Sequence, residues 1–378
     1  MKINIVVGGT FHLVMLAQHM IDLGHDVKIY SPTPKFKIRN EQVRSKMVYV
    51  PMFFQLFRKI FNVPLPSVCK LFDSILFDLI TSIIMRDADL LYGWAVVSNL
   101  CGKKQKNLNK TYYLDRGCPH IDFQNNLMIE EAEKLGVHFS ALDKYTLERC
   151  RNEYEMADRI LVPSKYTYDS FIEKGFDKSK LRITPVGAKL EYSINENKKN
   201  NKKSFTVGFI GGNLLRKGGI YLLKAWNDAA LDDSRLILRA KRKDLERSEE
   251  FKILLEKAKN IEFIDYIENI NDFYSQCDVF CVPSVDEGYG MTVLESLANG
   301  TPVIVTKNVG ASMHISDGEN GFIVDIRNSG QIGAKLRLLY DDRGKLDEMS
   351  KNATDSYQNF YNSDVNFLST LKNALNEV

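Results

Sequence analysis

A chain of 378 residues, 44% hydrophobic and 26% charged, has the composition of a soluble globular protein and is long enough for two ordinary domains with a core each. No run approaches the roughly 18 uninterrupted apolar residues of a membrane helix, and the opening MKINIVVGG enters a strand without a signal-peptide layout, so a cytoplasmic location is expected. Net charge is only +3, with a mild cationic excess in residues 1–190 that suggests an anionic partner for that half, whether membrane surface, phosphorylated acceptor or nucleic acid, of which nucleic acid is not the one expected. The six cysteines, at 69, 101, 118, 150, 277 and 281, include no C-x2-C pair; buried free thiols are expected, and no metal site.

Residues 3–9, INIVVGG, read as a short apolar strand ending in Gly8-Gly9. Phe11, Val14, Ala17, Met20 and Ile21 then recur at helical spacing up to Gly24, and Val27 to Tyr30 returns as a strand. From 31 to 70 the cations Lys35, Lys37, Arg39, Arg44, Lys46, Arg58, Lys59 and Lys70 face one acid, Glu41. Within that stretch, VPMFFQLFRKIF at 50–61 sets Met52, Phe53, Phe54, Leu56 and Phe57 beside two of them. Residues 35–61 therefore suit an interfacial contact with an anionic membrane surface; the plainer alternative is a core-facing segment with a solvated basic edge.

YYLDRGCPHI, residues 112–121, is a strand that breaks into a polar turn, followed by a helical stretch with Phe123, Leu127 and Leu135. His120 stands just past that strand, where strand ends of an open α/β sheet face a cleft; a structural loop imidazole is the alternative. ADRILVPS, 157–164, ends in a Pro-Ser able to cap the next helix. EYSINENKKNNKK, 191–203, is polar, lacks periodicity and reads as a linker.

The opening pattern then restarts, with TVGFIGG at 206–212 and a helical run from Ile220 to Trp226. In GGNLLRKGG, 211–219, glycines let the backbone approach a phosphate, and Arg216 or Lys217 can neutralise it. A surface turn is the plainer reading. LILRAKRK at 236–243 is a strand followed by Arg239 and Lys241, and IEFIDYIENI at 261–270 is a strand and turn holding Tyr266 and Ile267. CDVFCVPS, 277–284, echoes ADRILVPS. Two echoes in the same order point to an α/β fold of two doubly wound, Rossmann-like domains: 1–190, a linker at 191–203, and 204–360.

The second echo opens the most informative stretch. The apolar run Val279 to Val282 ends in Pro283-Ser284, Glu287-Gly288-Tyr289-Gly290 forms an acidic loop bracketed by glycines, a helix-like stretch stops at Gly300, and another apolar run follows. A ligand of such a unit sits beyond the carboxyl end of the strand, where the next helix offers N–H groups to an anion. Glu287 and Glu295 stand eight apart, although Thr292-Val293-Leu294-Glu295 also fits a mere capping box.

This E-x7-E spacing, begun by EGYG and followed by LANGTPVIV, resembles the donor-site motif of the family 4 retaining glycosyltransferases of the GT-B fold. The resemblance is strongest over 205–325, weaker over 1–30 and 110–190, where DRGCPHI and EYEMADRILVPS carry it, and absent at 31–109. It implies two domains facing a central cleft, with residues 361–378 crossing back onto the first. It also implies transfer of a hexosyl group from a UDP-, GDP- or ADP-linked donor to a glycan, lipid-linked or small-molecule acceptor, as in cell-surface polysaccharide or glycolipid synthesis, without metal or cofactor.

In that resemblance Glu287 meets the sugar hydroxyls, Glu295 the ribose, and Lys217-Gly218 the diphosphate. Asn213 stands where the family has an arginine, which leaves Arg216 or Arg239 as substitutes. Backbone at Tyr266 and Ile267 meets the nucleobase. Gly9, Gly288, Tyr289, Gly290 and the N–H groups of Met291, Thr292 and Val293 border the donor, and His120 approaches the donor sugar or the acceptor. A non-catalytic nucleotide-sugar-binding protein is a second reading. A Rossmann-type oxidoreductase is a third, against which both openings, GGTFHL and GGNLLR, lack G-x-G-x-x-G.

Overall fold

The computed structural model describes residues 1–9, 13–53, 67–186, 204–212, 214–240, 248–363 and 366–378. The expected linker at 191–203, Phe11, Asn213, Lys241, and residues 54–61 of the basic aromatic stretch lie outside the described residues.

Two parallel sheets organise the chain. The first joins β1 (Lys2–Val6), β2 (Asp26–Ser31), β3 (Met47–Tyr49), β4 (Leu90–Trp94), β5 (Thr111–Asp115), β6 (Arg159–Val162) and β7 (Leu181–Ile183) in the order β3-β2-β1-β4-β5-β6-β7. The second joins β8 (Phe205–Ile210), β9 (Ser234–Arg239), β10 (Ile261–Phe263), β11 (Val279–Val282), β12 (Val303–Thr306) and β13 (Gly321–Val324) in the order β10-β9-β8-β11-β12-β13. Central strands such as VFCV and VIVT are buried along their whole length because helices cover both faces, which is why they read as unbroken apolar runs. Strand order reverses between β1 and β4 and again between β8 and β11. The loops leaving those pairs must therefore diverge and open a crevice at each carboxyl edge.

Three contacts tie the halves together. The helix Ile121–Lys134 belongs to the first half, yet its Leu127 and Leu135 pack on the core of the second. Its buried Glu131 accepts from Tyr221 Oη at 2.8 Å and Arg327 Nε at 2.6 Å. The last helix, Phe367–Leu375, lays Phe367, Leu371, Ala374 and Leu375 into the core of the first sheet, and Tyr113 Oη donates to the Ala374 carbonyl at 2.9 Å. None of the six cysteines, all among the described residues, is in a disulfide, and Cys101, Cys150, Cys277 and Cys281 are buried.

Candidate functional site

The two loops that flank the second switch point lock onto each other. The loop after β8 carries the short helix Leu214–Lys217, and the loop after β11 runs from Pro283 to Gly290. Val285 N–H donates to the Arg216 carbonyl at 2.9 Å. Gly218 follows at φ +64°, and a Cβ there would lie 1.9 Å from the Pro283 carbonyl oxygen. Only glycine fits that backbone, so the Lys-Gly pair of the sequence is a packing requirement that delivers Lys217 to the acidic loop.

What Lys217 meets is Glu287. Its ammonium pairs with Glu287 Oε2, and Arg216 Nη1 approaches the same oxygen at 3.5 Å. The loop backbone is held by Glu287 N–H on the Asn308 carbonyl (3.1 Å) and Gly310 N–H on the Glu287 carbonyl (2.9 Å). Glu295 lies within the field of Lys217 and accepts from Tyr274 Oη at 2.9 Å; burial raises its carboxyl above the ordinary value, against the pull of that hydroxyl and of Lys217. The Lys217 ammonium thus pairs with one carboxylate of the E-x7-E pair and favours the charged form of the other.

The helix Met291–Ala298 opens on Gly290 at φ +94°, with no side-chain cap. The capping box does not form, because Thr292 lies inside the helix and Glu295 reaches sideways to Tyr274. Val293 N–H donates to the Gly290 carbonyl at 2.9 Å, so the anion donors expected over Met291 to Val293 narrow to Met291 and Thr292. Two cations therefore meet Glu287 between the loops that follow β8 and β11, and the same β11 loop leads into the helix that opens with the amides of Met291 and Thr292 and carries Glu295. Such a set can hold a doubly charged phosphate group while presenting carboxylates to hydroxyls.

Other residues singled out from the sequence are placed differently. Tyr289 is buried, with its hydroxyl 3.1 Å from His314 Nε2. The Gly288 carbonyl accepts from Ser164 Oγ (2.7 Å) and Thr167 Oγ1 (3.1 Å) of the first half. Arg239 is exposed at the end of β9, opposite Ile210 in the ladder. Tyr266 is exposed, and Ile267 packs partly on the core. Gly9 sits at the first switch point beside Trp94.

His120 requires a correction. It is 2% exposed and lines no open surface. As the cap of the helix Ile121–Lys134 its Nδ1 accepts from Asp122 N–H at 3.2 Å, while its ring packs among Tyr154, Phe171 and Phe176 with centroids 5.1–5.2 Å away. Burial lowers its pKa to about 4, so the ring is neutral and carries its proton on Nε2.

Asp286 was not singled out, and it is the deepest acid of the site. It is fully buried and receives Gln124 Nε2 at 2.6 Å and Tyr166 Oη at 2.9 Å, both from the first half, with Arg216 Nη1 at 4.0 Å. Desolvation raises its pKa, and those three partners oppose the shift. Its partners lie 162 and 120 residues away in sequence, so no local spacing betrays them.

Two family models match the chain, "Glycosyltransferase Family 4" over residues 6–192 and "Glycosyl transferases group 1" over 192–356. Among curated proteins, a D-inositol 3-phosphate glycosyltransferase of Paenarthrobacter aurescens is 26% identical over 229 residues, 54% of each chain. The capsular polysaccharide biosynthesis glycosyltransferase CapM of Staphylococcus aureus is 24% identical over 193 residues, 50% of this chain and 49% of CapM. The chain thus spans about half the length of these relatives. Among solved structures, sucrose-phosphate synthase from Thermosynechococcus elongatus superposes with TM-score 0.75 at 17% identity over 100% of this chain and 98% of that one. Anabaena Alr3699/HepE in complex with UDP and glucose gives 0.71 at 16% over 100% of both. These two likenesses concern the fold.

Proposed function

The chain belongs to the family 4 glycosyltransferases and has their GT-B fold, and from that premise we propose that it moves a sugar, with retention at the anomeric carbon, from a nucleoside diphosphate donor to a glycan or lipid-linked acceptor. The observation that carries the reading is the convergence of Lys217 and Arg216 on Glu287 at the switch point of the second sheet. An incoming diphosphate draws the two cations away from Glu287, which frees that carboxylate for sugar hydroxyls. As the glycosidic bond breaks, the anomeric carbon becomes oxocarbenium-like and charge grows on the leaving phosphate. Lys217, Arg216 and the amides of Met291 and Thr292 then stabilise that charge, each such donor being worth about 3 kcal/mol in a preorganised site. The HepE complex with UDP and glucose supports a nucleotide-sugar donor, and the name of CapM supports a role in surface polysaccharide synthesis.

The test is a thermal-shift screen with UDP, GDP and ADP, followed by transfer assays with the matching nucleotide sugars and NMR of the product anomer. One nucleoside diphosphate should stabilise the fold, and an α-linked donor should give an α-linked product. Glu287→Gln should cut turnover about 100-fold while leaving affinity for the bare nucleoside diphosphate near wild type, and Glu295→Gln should chiefly weaken that affinity. Binding of nicotinamide cofactors alone would end the transferase reading, and an inverted product would end retention.

A further inference from the structure

Gln124 has one orientation, and Arg116 sets it. Arg116 closes its own turn by donating from Nε and Nη2 to the Pro119 carbonyl at 3.1 and 3.0 Å, and the same Nη2 reaches Gln124 Oε1 at 3.3 Å. A guanidinium only donates, so it takes the carbonyl end of the amide and turns the Nε2 end towards Asp286 Oδ2, 2.6 Å away. Tyr166, whose ring stands edge-on to Phe123 with centroids 6.1 Å apart, covers the other oxygen: its Oη donates to Asp286 Oδ1 at 2.9 Å. Burial and the neighbouring Asp286 raise that hydroxyl above its ordinary value, so its proton stays in place to be donated. Each oxygen of the buried carboxylate thus has a neutral donor from the first half.

Arg216 stands between two acids. Its Nη1 donates to the main-chain carbonyl of Asp286 at 3.4 Å and lies 3.5 Å from Glu287 Oε2, but 4.0 Å from the Asp286 carboxylate. That last gap is about 1 Å too long for a hydrogen bond. A charged donor bonds a carboxylate more strongly than a neutral one does, and a buried carboxylate oxygen left bare is costly. The two neutral donors are therefore what spares Arg216 from the side chain of Asp286. With either of them removed, the guanidinium that already borders this carboxylate moves onto it and away from Glu287.

We propose that Gln124 and Tyr166 are positioning residues for the phosphate-binding cation: by meeting the Asp286 carboxylate they hold Arg216 on the Glu287 side, where the donor diphosphate binds. They act through Asp286, and Arg116 acts through Gln124. The strength of the phosphate site in the second half is thereby set in part by side chains of the first. The identity of the ligand rests on the transferase reading; the placement of Arg216 does not.

The test begins with a ligand-free crystal structure of the full chain carrying Gln124→Met, which keeps the length of the side chain and loses the amide. Arg216 Nη1 should close on Asp286 Oδ2 to about 3 Å; an Arg216 that stays at 4.0 Å overturns the proposal. Affinity for inorganic pyrophosphate is then measured by calorimetry on the wild type, Gln124→Met, Arg216→Ala and the double variant. Each single variant should weaken binding about 10-fold, and the double variant should match Arg216→Ala within about 2-fold, because one substitution acts through the other. Additive losses of about 100-fold, wild-type affinity in Gln124→Met, or a wild type that takes up no pyrophosphate each overturn the proposal. Should Gln124→Met fail to fold, Tyr166→Phe, which keeps the ring and loses the other donor, goes through the same cycle with the same expectations. A wild type that binds pyrophosphate in this pattern but transfers no sugar keeps the positioning and sinks the transferase reading; transfer with additive variants does the reverse.

Discussion

The turns after β6 and β11 begin alike, ADRILVPS and CDVFCVPS, and end in different work. After β6 the helix starts at once: Ser164 caps Lys165–Glu173 by accepting from Thr167 N–H at 3.2 Å, and its hydroxyl also reaches across to Gly288. After β11 the helix waits until Met291, and Ser284 caps nothing; its buried hydroxyl has no partner among the described residues. The residues inserted between Ser284 and Met291 include Asp286, Glu287 and the glycines that aim them. One strand-to-helix turn thus gains an acidic loop when its cap is postponed, and the other becomes the brace that holds that loop.

The largest expected effect comes from cutting the inserted loop free of its brace. Asp286→Ala leaves Gln124, Tyr166 and Arg216 without their buried acceptor and should cost about 3 kcal/mol or more of stability in urea unfolding, with a larger radius of gyration by small-angle scattering. A loss below about 1 kcal/mol would mean that the two halves do not meet through this acid.

Next is the cation that makes the inserted loop chemical. Lys217→Ala should lower kcat about 100-fold or more at saturating donor, whereas near wild-type turnover would return residues 211–219 to an ordinary surface turn.

His120 belongs to the bracing side, and acid should expose it. Burial holds its folded pKa near 4, below the ordinary 6.5, so on acidification the unfolded chain takes up the proton first. The contribution is complete above about pH 6.5 and is lost as pH falls towards 4; the full difference is about 3 kcal/mol. His120→Asn keeps an acceptor for Asp122 N–H and removes the titration. Its stability should therefore fall less steeply than that of the wild type between pH 7 and pH 4.5, and equal slopes would show an imidazole open to water.

The finest test separates the two serines. Ser164→Ala should cost about 1 kcal/mol as a lost cap, and Ser284→Ala should stay within about 0.5 kcal/mol. Equal losses would erase the distinction between the turns.

Much of this was legible along the chain because the information was local. The apolar run Val279 to Val282 is β11 itself, the E-x7-E pair straddles the loop and helix, and Gly218 and Gly290, inside the glycine-rich stretches, take up positive φ. Periodicity and positive φ depend on a few neighbouring residues, so they survive in one dimension. Asp286, Gln124 and Tyr166 were illegible because their meaning lies in a contact between halves. The burial of Asp73 and Asp78 in the helix Ser67–Ile84, beside Phe77, was illegible because the groups that Asp78 accepts from, Leu100 and Cys101 N–H, lie on another element. His120 was placed near the cleft because it follows a strand, and only packing put its ring among Tyr154, Phe171 and Phe176. The sequence by itself determined two doubly wound halves and the run of residues in the loop after β11; the tertiary structure alone decided which side chains those halves share, because burial is a property of the assembled chain and not of any segment of it.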